Sequence, residues 1–194
     1  KNDLLLNEKL FKKVKHVYEN RTSLSLNKEQ AMLLKKNYKG FTRNGANLSD
    51  KDKETLREID GKLSKLKLQF GENVLAETNK FYLQITNEKE LSGLPDGVIE
   101  MAAQTAKEKK MTGWVFTLDY PSYVPFVTYS NLRELRKKIT IAFGQRAFKN
   151  NLNDNQASIL EIVSLRYQRA QLLGYPSHAH FVLEERMAKT PKNF

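Results

Sequence analysis

Two of the three histidines, His178 and His180, lie in the stretch LLGYPSHAHFVLEERMAKTPKNF, with Glu184 and Glu185 one turn further on. Imidazoles and carboxylates bind zinc, so their spacing is the first question. A helical zinc site of the His-Glu-x-x-His type puts two imidazoles one turn apart on one face, with the glutamate as base. No such sequence occurs in these 194 residues. At about 100° per residue, side chains two positions apart on a helix point about 200° from each other. His178 and His180 therefore cannot grip one ion from a regular helix. They share a face only in an extended segment, and Pro176 with the apolar pattern favours helix. His180 and Glu184 do share a helix face, and the spacing predicts an i,i+4 hydrogen-bonded or ionic pair there. A metal on that pair would need further ligands from elsewhere.

Other chemistry is equally incomplete. The chain has no cysteine, which removes disulfides, thiolate zinc sites and a cysteine nucleophile. It has no Gly-x-Ser-x-Gly elbow, no phosphate-binding glycine loop and no dinucleotide fingerprint. The pair Asp50/Asp52 suits a helix N-terminus, and the adjacent carboxylates Glu184/Glu185 point apart on a helix. By spacing alone the sequence carries no complete active site. Its net charge of +11 is spread along helices and interleaved with acids, as in SDKDKETLREIDGKLSKLK. That pattern favours solvated helix faces over a nucleic-acid stripe. A basic helical module for an acidic partner or nucleic acid remains the alternative function. No apolar run reaches the ~18 residues of a membrane span.

The elements that must position these residues are mostly helices. In LNEKLFKKVKHVYEN, Leu6, Leu10, Val14 and Val17 form one stripe with His16 beside it. Asn27 with Gln30 makes a capping box for a helix to about Arg43, and Gly45 offers the left-handed turn that follows a helix end. Ser49 opens the longest element, about 50–80, some 45 Å long at ~1.5 Å per residue. Its stripe of Leu56, Ile59, Leu63, Leu66 and Phe70 predicts packing against another long helix. Gly61 and Gly71 in that helix either admit a close neighbour or mark a bend. Alternation then predicts a small sheet of two or three short strands, at about 81–86, 114–118 and 126–130. Helices follow from about Asp96 to Lys110, after a cap at Asn131, from Asp154 or Asn155 to Gly174, and over 176–188 with Pro176 in the first turn. The fold class is mainly α, a multi-helix array in one region over 1–194.

Some stretches carry more as sequence than as pattern. YKGFTRNGANLSDKDKETLREIDGKLSKLKLQFGENVLAETN, with Phe41, Arg43, Gly45, Ala46, Leu48, Phe70, Asn73 and Val74, resembles the thimet oligopeptidase family of zinc metallopeptidases. TLDYPSYVPFVTYSNLRELRKKI and NDNQASILEIVSLRYQRAQLLGYPSHAHFVLEERMAKTP resemble that family's next segments in order. The branch is that of peptidyl-dipeptidases (dipeptidyl carboxypeptidases) and oligopeptidase A, the former fitting slightly better.

The resemblance implies a largely helical, two-lobed enzyme around a channel for short peptides. It implies zinc held by His-Glu-x-x-His and a later glutamate, with attack by a zinc-polarised water. None of those residues maps onto a position here, so no catalytic or metal residue is assigned and no zinc is expected on this chain. The chain then reads as an N-proximal, non-catalytic fragment, inactive alone, of a peptidase that releases C-terminal dipeptides or cuts short peptides internally. Its partners are peptide substrates and the missing catalytic lobe. Loss of that lobe exposes a cut apolar face that favours self-association. The expected compartment is the cytoplasm, with the periplasm as alternative. Tyr120, Tyr123 and Phe126 are candidate peptide contacts, set against a first-ranked reading in which they anchor their loop to the helices.

Overall fold

The computed structural model describes residues 2–193. It is mainly helical and divides into two compact units, one of Lys1–Leu66 with Leu160–Phe194 and the other of Lys67–Ile159.

In the first unit a short helix, α1 (Asn2–Leu5), precedes α2 (Glu8–Glu19). Asn7 caps α2 by accepting the Leu10 amide at 2.9 Å. Three members of the expected stripe face the core: Leu6 is buried and Leu10 and Val14 pack against the core cluster, whereas Val17 is exposed. Phe11 is the larger anchor, and it packs with Phe41 and Ala46. His16 is exposed, as its place beside the stripe predicts.

The capping box at α3 (Lys28–Arg43) is present in full, with Asn27 Oδ1 accepting the Gln30 amide at 2.8 Å and Gln30 Oε1 accepting the Asn27 amide at 3.0 Å. Gly45 follows at φ 93°, where a Cβ would stand 2.7 Å from Leu56 Cδ2. Glycine is required there by both conformation and space. Ser49 Oγ accepts the Asp52 amide and opens α4 (Asp50–Lys80), the 31-residue helix. Ile59 and Leu63 of α4 pack with Ile162 and Leu165 of α8 (Gln156–Leu172), the long-helix pairing that the stripe predicts. The stripe fades beyond Leu63: Leu66 is half-buried and Phe70 is exposed. An Arg169–Asp60 bond of 2.7 Å and an Asn2–Asp60 bond of 3.0 Å brace the same region.

The second unit holds the sheet. Strands β1 (Leu83–Ile85) and β2 (Trp114–Phe116) pair antiparallel, with Leu83 opposite Phe116 and Ile85 opposite Trp114. Leu83 and Ile85 point into a core with Phe116, Leu118, Phe126 and Ile139, capped by α5 (Asp96–Glu108) through Ala102. Gly113 lies just before β2 at φ 78°, and a Cβ there would meet the Ile85 carbonyl oxygen at 2.2 Å.

The expected third strand over 126–130 is instead part of α6 (Tyr120–Tyr129). Pro121 sits in the first turn, where its missing N–H has no intrahelical partner to lose. Pro125 lies inside the helix and forfeits one bond. Complete burial of Phe126 against Phe116, ring centroids 4.6 Å apart, offsets that loss.

Asn131 does not cap the next helix, α7 (Arg133–Gly144). Its side-chain amide donates to Ser92 Oγ at 3.0 Å, and Leu132 takes the cap position without a side-chain bond. Before α8, Asp154 accepts the Gln156 amide at 2.8 Å and the Lys149 amide at 2.8 Å. Those N–H donors, Gln156 foremost, hold its carboxyl below the usual range. The last helix, α9 (His178–Leu183), is shorter than the expected 176–188 and starts two residues later. Ser177 is its cap, leaving Pro176 outside the helix. Among the described residues no helix is long and apolar enough to cross a membrane.

Candidate functional site

The densest polar cluster of the first unit forms where the last turn of α3 meets α9 and its flanks. Arg43 is its centre. Its Nη1 donates to Tyr175 Oη at 3.1 Å, its Nη2 donates to the Phe181 carbonyl at 2.6 Å, and its guanidinium pairs with Glu184. Tyr175 Oη in turn donates to Glu184 Oε2 at 2.7 Å. The guanidinium carbon lies 4.6 Å from the Phe181 ring centroid, so the cation also stacks on an aromatic face. Lys39, one turn earlier, pairs with both Glu184 and Glu185. The hydrogen bond from Lys39 is the main reason the Glu185 carboxyl sits below the usual range, with the charges of Lys39, Arg43 and Lys189 adding to it and burial opposing it. A groove of about 470 Å³ opens here, lined by Met32, Lys35, Lys36, Lys39, Glu185 and Lys189 among others.

A second buried network lies in the other unit. Glu77 keeps only 2% of its side chain exposed and accepts from Lys149 Nζ at 2.7 Å, Asn151 Nδ2 at 3.0 Å and Asn153 Nδ2 at 3.2 Å. Lys149 above all, then the two amides, hold the Glu77 carboxyl below the usual range against the opposing effect of burial. Asn73 and Asn155 pair beside it at 2.9 Å, and Arg146 Nη1 donates to Thr78 Oγ1 at 3.1 Å. Every acceptor is matched to a donor, so the network fixes the 149–155 loop and leaves no free base.

Glu77 follows Phe70 and Val74 at helical spacing, so the sequence marks it only as a charge continuing the apolar stripe of α4. Nothing local signalled the Arg43–Tyr175–Glu184 cluster, whose Arg43 and Tyr175 are 132 residues apart.

The three aromatic candidates separate. Tyr120 is 69% exposed and meets Phe143 edge-on at 5.8 Å. Tyr123 is half-buried and stacks on Phe143 at 4.1 Å, with Arg146 on Phe143 as well. Phe126 is 0% exposed and belongs to the core. Of the three, only Tyr120 is mostly exposed.

His178 and His180 do lie on one short helix. The expected His180–Glu184 side-chain pair gives way to two other partnerships. His180 Nδ1 is 2.8 Å from Ser177 Oγ, and Glu184 is taken by Arg43, Lys39 and Tyr175. Among the described residues no group of three or more His, Asp or Glu is placed to hold a metal ion. The zinc that the family resemblance implies finds no fitting donor set among the described residues: Glu184 and Glu185, the acids that follow the histidines in sequence, pair with Arg43 and Lys39.

Comparison with known proteins gives a concordant set of matches. The model for Peptidase family M3 matches residues 126–194. Dipeptidyl carboxypeptidase of Escherichia coli (strain K12) is 34% identical over 192 residues, covering 98% of this chain and 28% of that protein. Oligopeptidase A of Haemophilus influenzae is 35% identical over 167 residues, covering 84% of this chain and 24% of that protein. Probable cytosolic oligopeptidase A of Arabidopsis thaliana is 37% identical over 175 residues, covering 87% of this chain and 25% of that protein. The chain thus spans about a quarter of the length of these relatives.

Proposed function

We propose that this chain, a member of peptidase family M3 in its dipeptidyl carboxypeptidase and oligopeptidase A branch, is the non-catalytic helical part of a longer zinc metallopeptidase acting on short peptides. The observation that carries this reading is the match to dipeptidyl carboxypeptidase along 98% of the chain but only 28% of the relative. The side chains agree with it. Their strongest polar clusters are closed ion-pair networks, which build a wall and do not perform proton transfer. Within the longer enzyme these helices line and narrow the peptide channel, with Tyr120 offering an apolar face and a polar tip to the substrate. Zinc belongs to the longer enzyme, and its compartment is the cytoplasm.

Release of C-terminal dipeptides is the proposed specificity. It is tested by incubating the longer polypeptide with a defined peptide and identifying products by mass spectrometry. Successive loss of two residues from the C-terminus is expected. Internal cuts alone would move the proposal to the oligopeptidase A type of activity.

A further inference from the structure

Helix α8 is apolar on two opposite faces, and only one of them is covered. Ile162 and Leu165 are buried with Ile59 and Leu63 of α4. At about 100° per residue, the stripe Leu160, Val163 and Tyr167 points to the opposite side. Its members are 73%, 59% and 54% exposed. The stripe ends toward Ala170, which is buried. A helix with apolar residues on both faces is the kind found buried between two layers. A contiguous apolar stripe left in water marks a contact surface.

We infer that the Leu160–Val163–Tyr167 face of α8 is the seat of another, apolar-faced helix from the remaining polypeptide of the same M3 enzyme. This inference rests on the reading of the chain as part of a longer peptidase. The occupant follows from length. The relatives are so long that this chain covers only 24% to 28% of them, so most of the polypeptide that can cover α8 lies outside these residues. The fold class of the covering segment follows from the stripe, since residues spaced i, i+3 and i+7 present the narrow ridge that a second helix packs against.

The absence of cysteine from these 194 residues gives a direct test. Single substitutions Leu160→Cys, Val163→Cys and Tyr167→Cys are made in the isolated chain and in the longer polypeptide. Thiol labelling rates are measured on dilute protein and normalised to each variant's rate in denaturant. Circular dichroism selects variants that keep the helical fold, and the exposed sites make retention the expected result. Fast labelling in the isolated chain and a fall of about tenfold or more in the longer polypeptide are expected. Equal labelling in both overturns the inference. So does a stable dimer of the isolated chain in which all three thiols stay protected at the lowest concentration measured, because the occupant is then a second copy. Peptidase activity of the unsubstituted longer polypeptide is read separately. Activity with reactive thiols sinks only this inference, whereas absence of activity sinks the reading beneath it.

Discussion

Arg43 makes three kinds of contact from one guanidinium: an ion pair with Glu184, hydrogen bonds to Tyr175 and the Phe181 carbonyl, and stacking on Phe181. A lysine reproduces the charge but not the planar fork. Glu184 keeps 37% of its side chain exposed, so solvent screens part of the attraction. Arg43→Met is therefore expected to cost about 1–3 kcal/mol, and Arg43→Lys to recover only part of it, as measured by urea unfolding. Glu77 stands deeper and answers to pH. Its folded pKa is depressed, so the stability it contributes is present above the unfolded value of about 4.3 and is lost as pH falls through the lower folded value. Glu77→Gln should cost roughly 3 kcal/mol near neutrality, since it leaves the Lys149 ammonium without its partner. The variant should also lose less stability on acidification than the parent chain. Parallel stability–pH curves would contradict the assignment. Tyr120→Ala tests the proposed substrate contact: in the longer polypeptide it should raise KM a few-fold with zinc content unchanged, as read by steady-state kinetics and metal analysis.

At the scale of elements, the helix-end signals were legible because they are local. The Asn27–Gln30 box, the left-handed Gly45 and the Ser49 start all follow from side chains bonding backbone within a few residues. The long helix was legible from its stripe. Helix α6 was not, because the internal Pro125 and the alternation at Phe126, Thr128 and Ser130 argue against helix locally, while a tertiary term, burial of Phe126, decides for it. The Arg43 cluster was illegible for the same reason: its partners meet only after the chain folds. Glycines give a matched test. A Cβ at Gly61 or Gly71 would meet nothing within 4 Å, so neither admits a close neighbour, and α4 runs on as helix through both. Gly61→Ala and Gly71→Ala should each raise stability by about 0.5–1 kcal/mol. Gly113→Ala should lower it by more than about 2 kcal/mol, from the positive φ and the 2.2 Å approach of the Ile85 carbonyl, as read by thermal or urea unfolding.

For the whole molecule, the family was legible in three ordered stretches of sequence, and the relatives bear that out across nearly the full chain. The chemistry of that family was not legible in these residues. The acids of the two polar clusters and of the α4–α8 packing are paired by the fold: Glu184 and Glu185 with Arg43 and Lys39, Glu77 with Lys149, Asp60 with Arg169. On the proposed function, these helices play a structural part in a zinc peptidase and the hydrolytic step lies elsewhere in a longer polypeptide. The most direct test compares the 194-residue chain and the longer polypeptide side by side, with zinc supplied and with a chelator, for hydrolysis of a short quenched peptide. Cleavage by the longer polypeptide that the chelator abolishes, with none by the isolated chain, is the predicted result. Zinc-dependent cleavage by the isolated chain would contradict it.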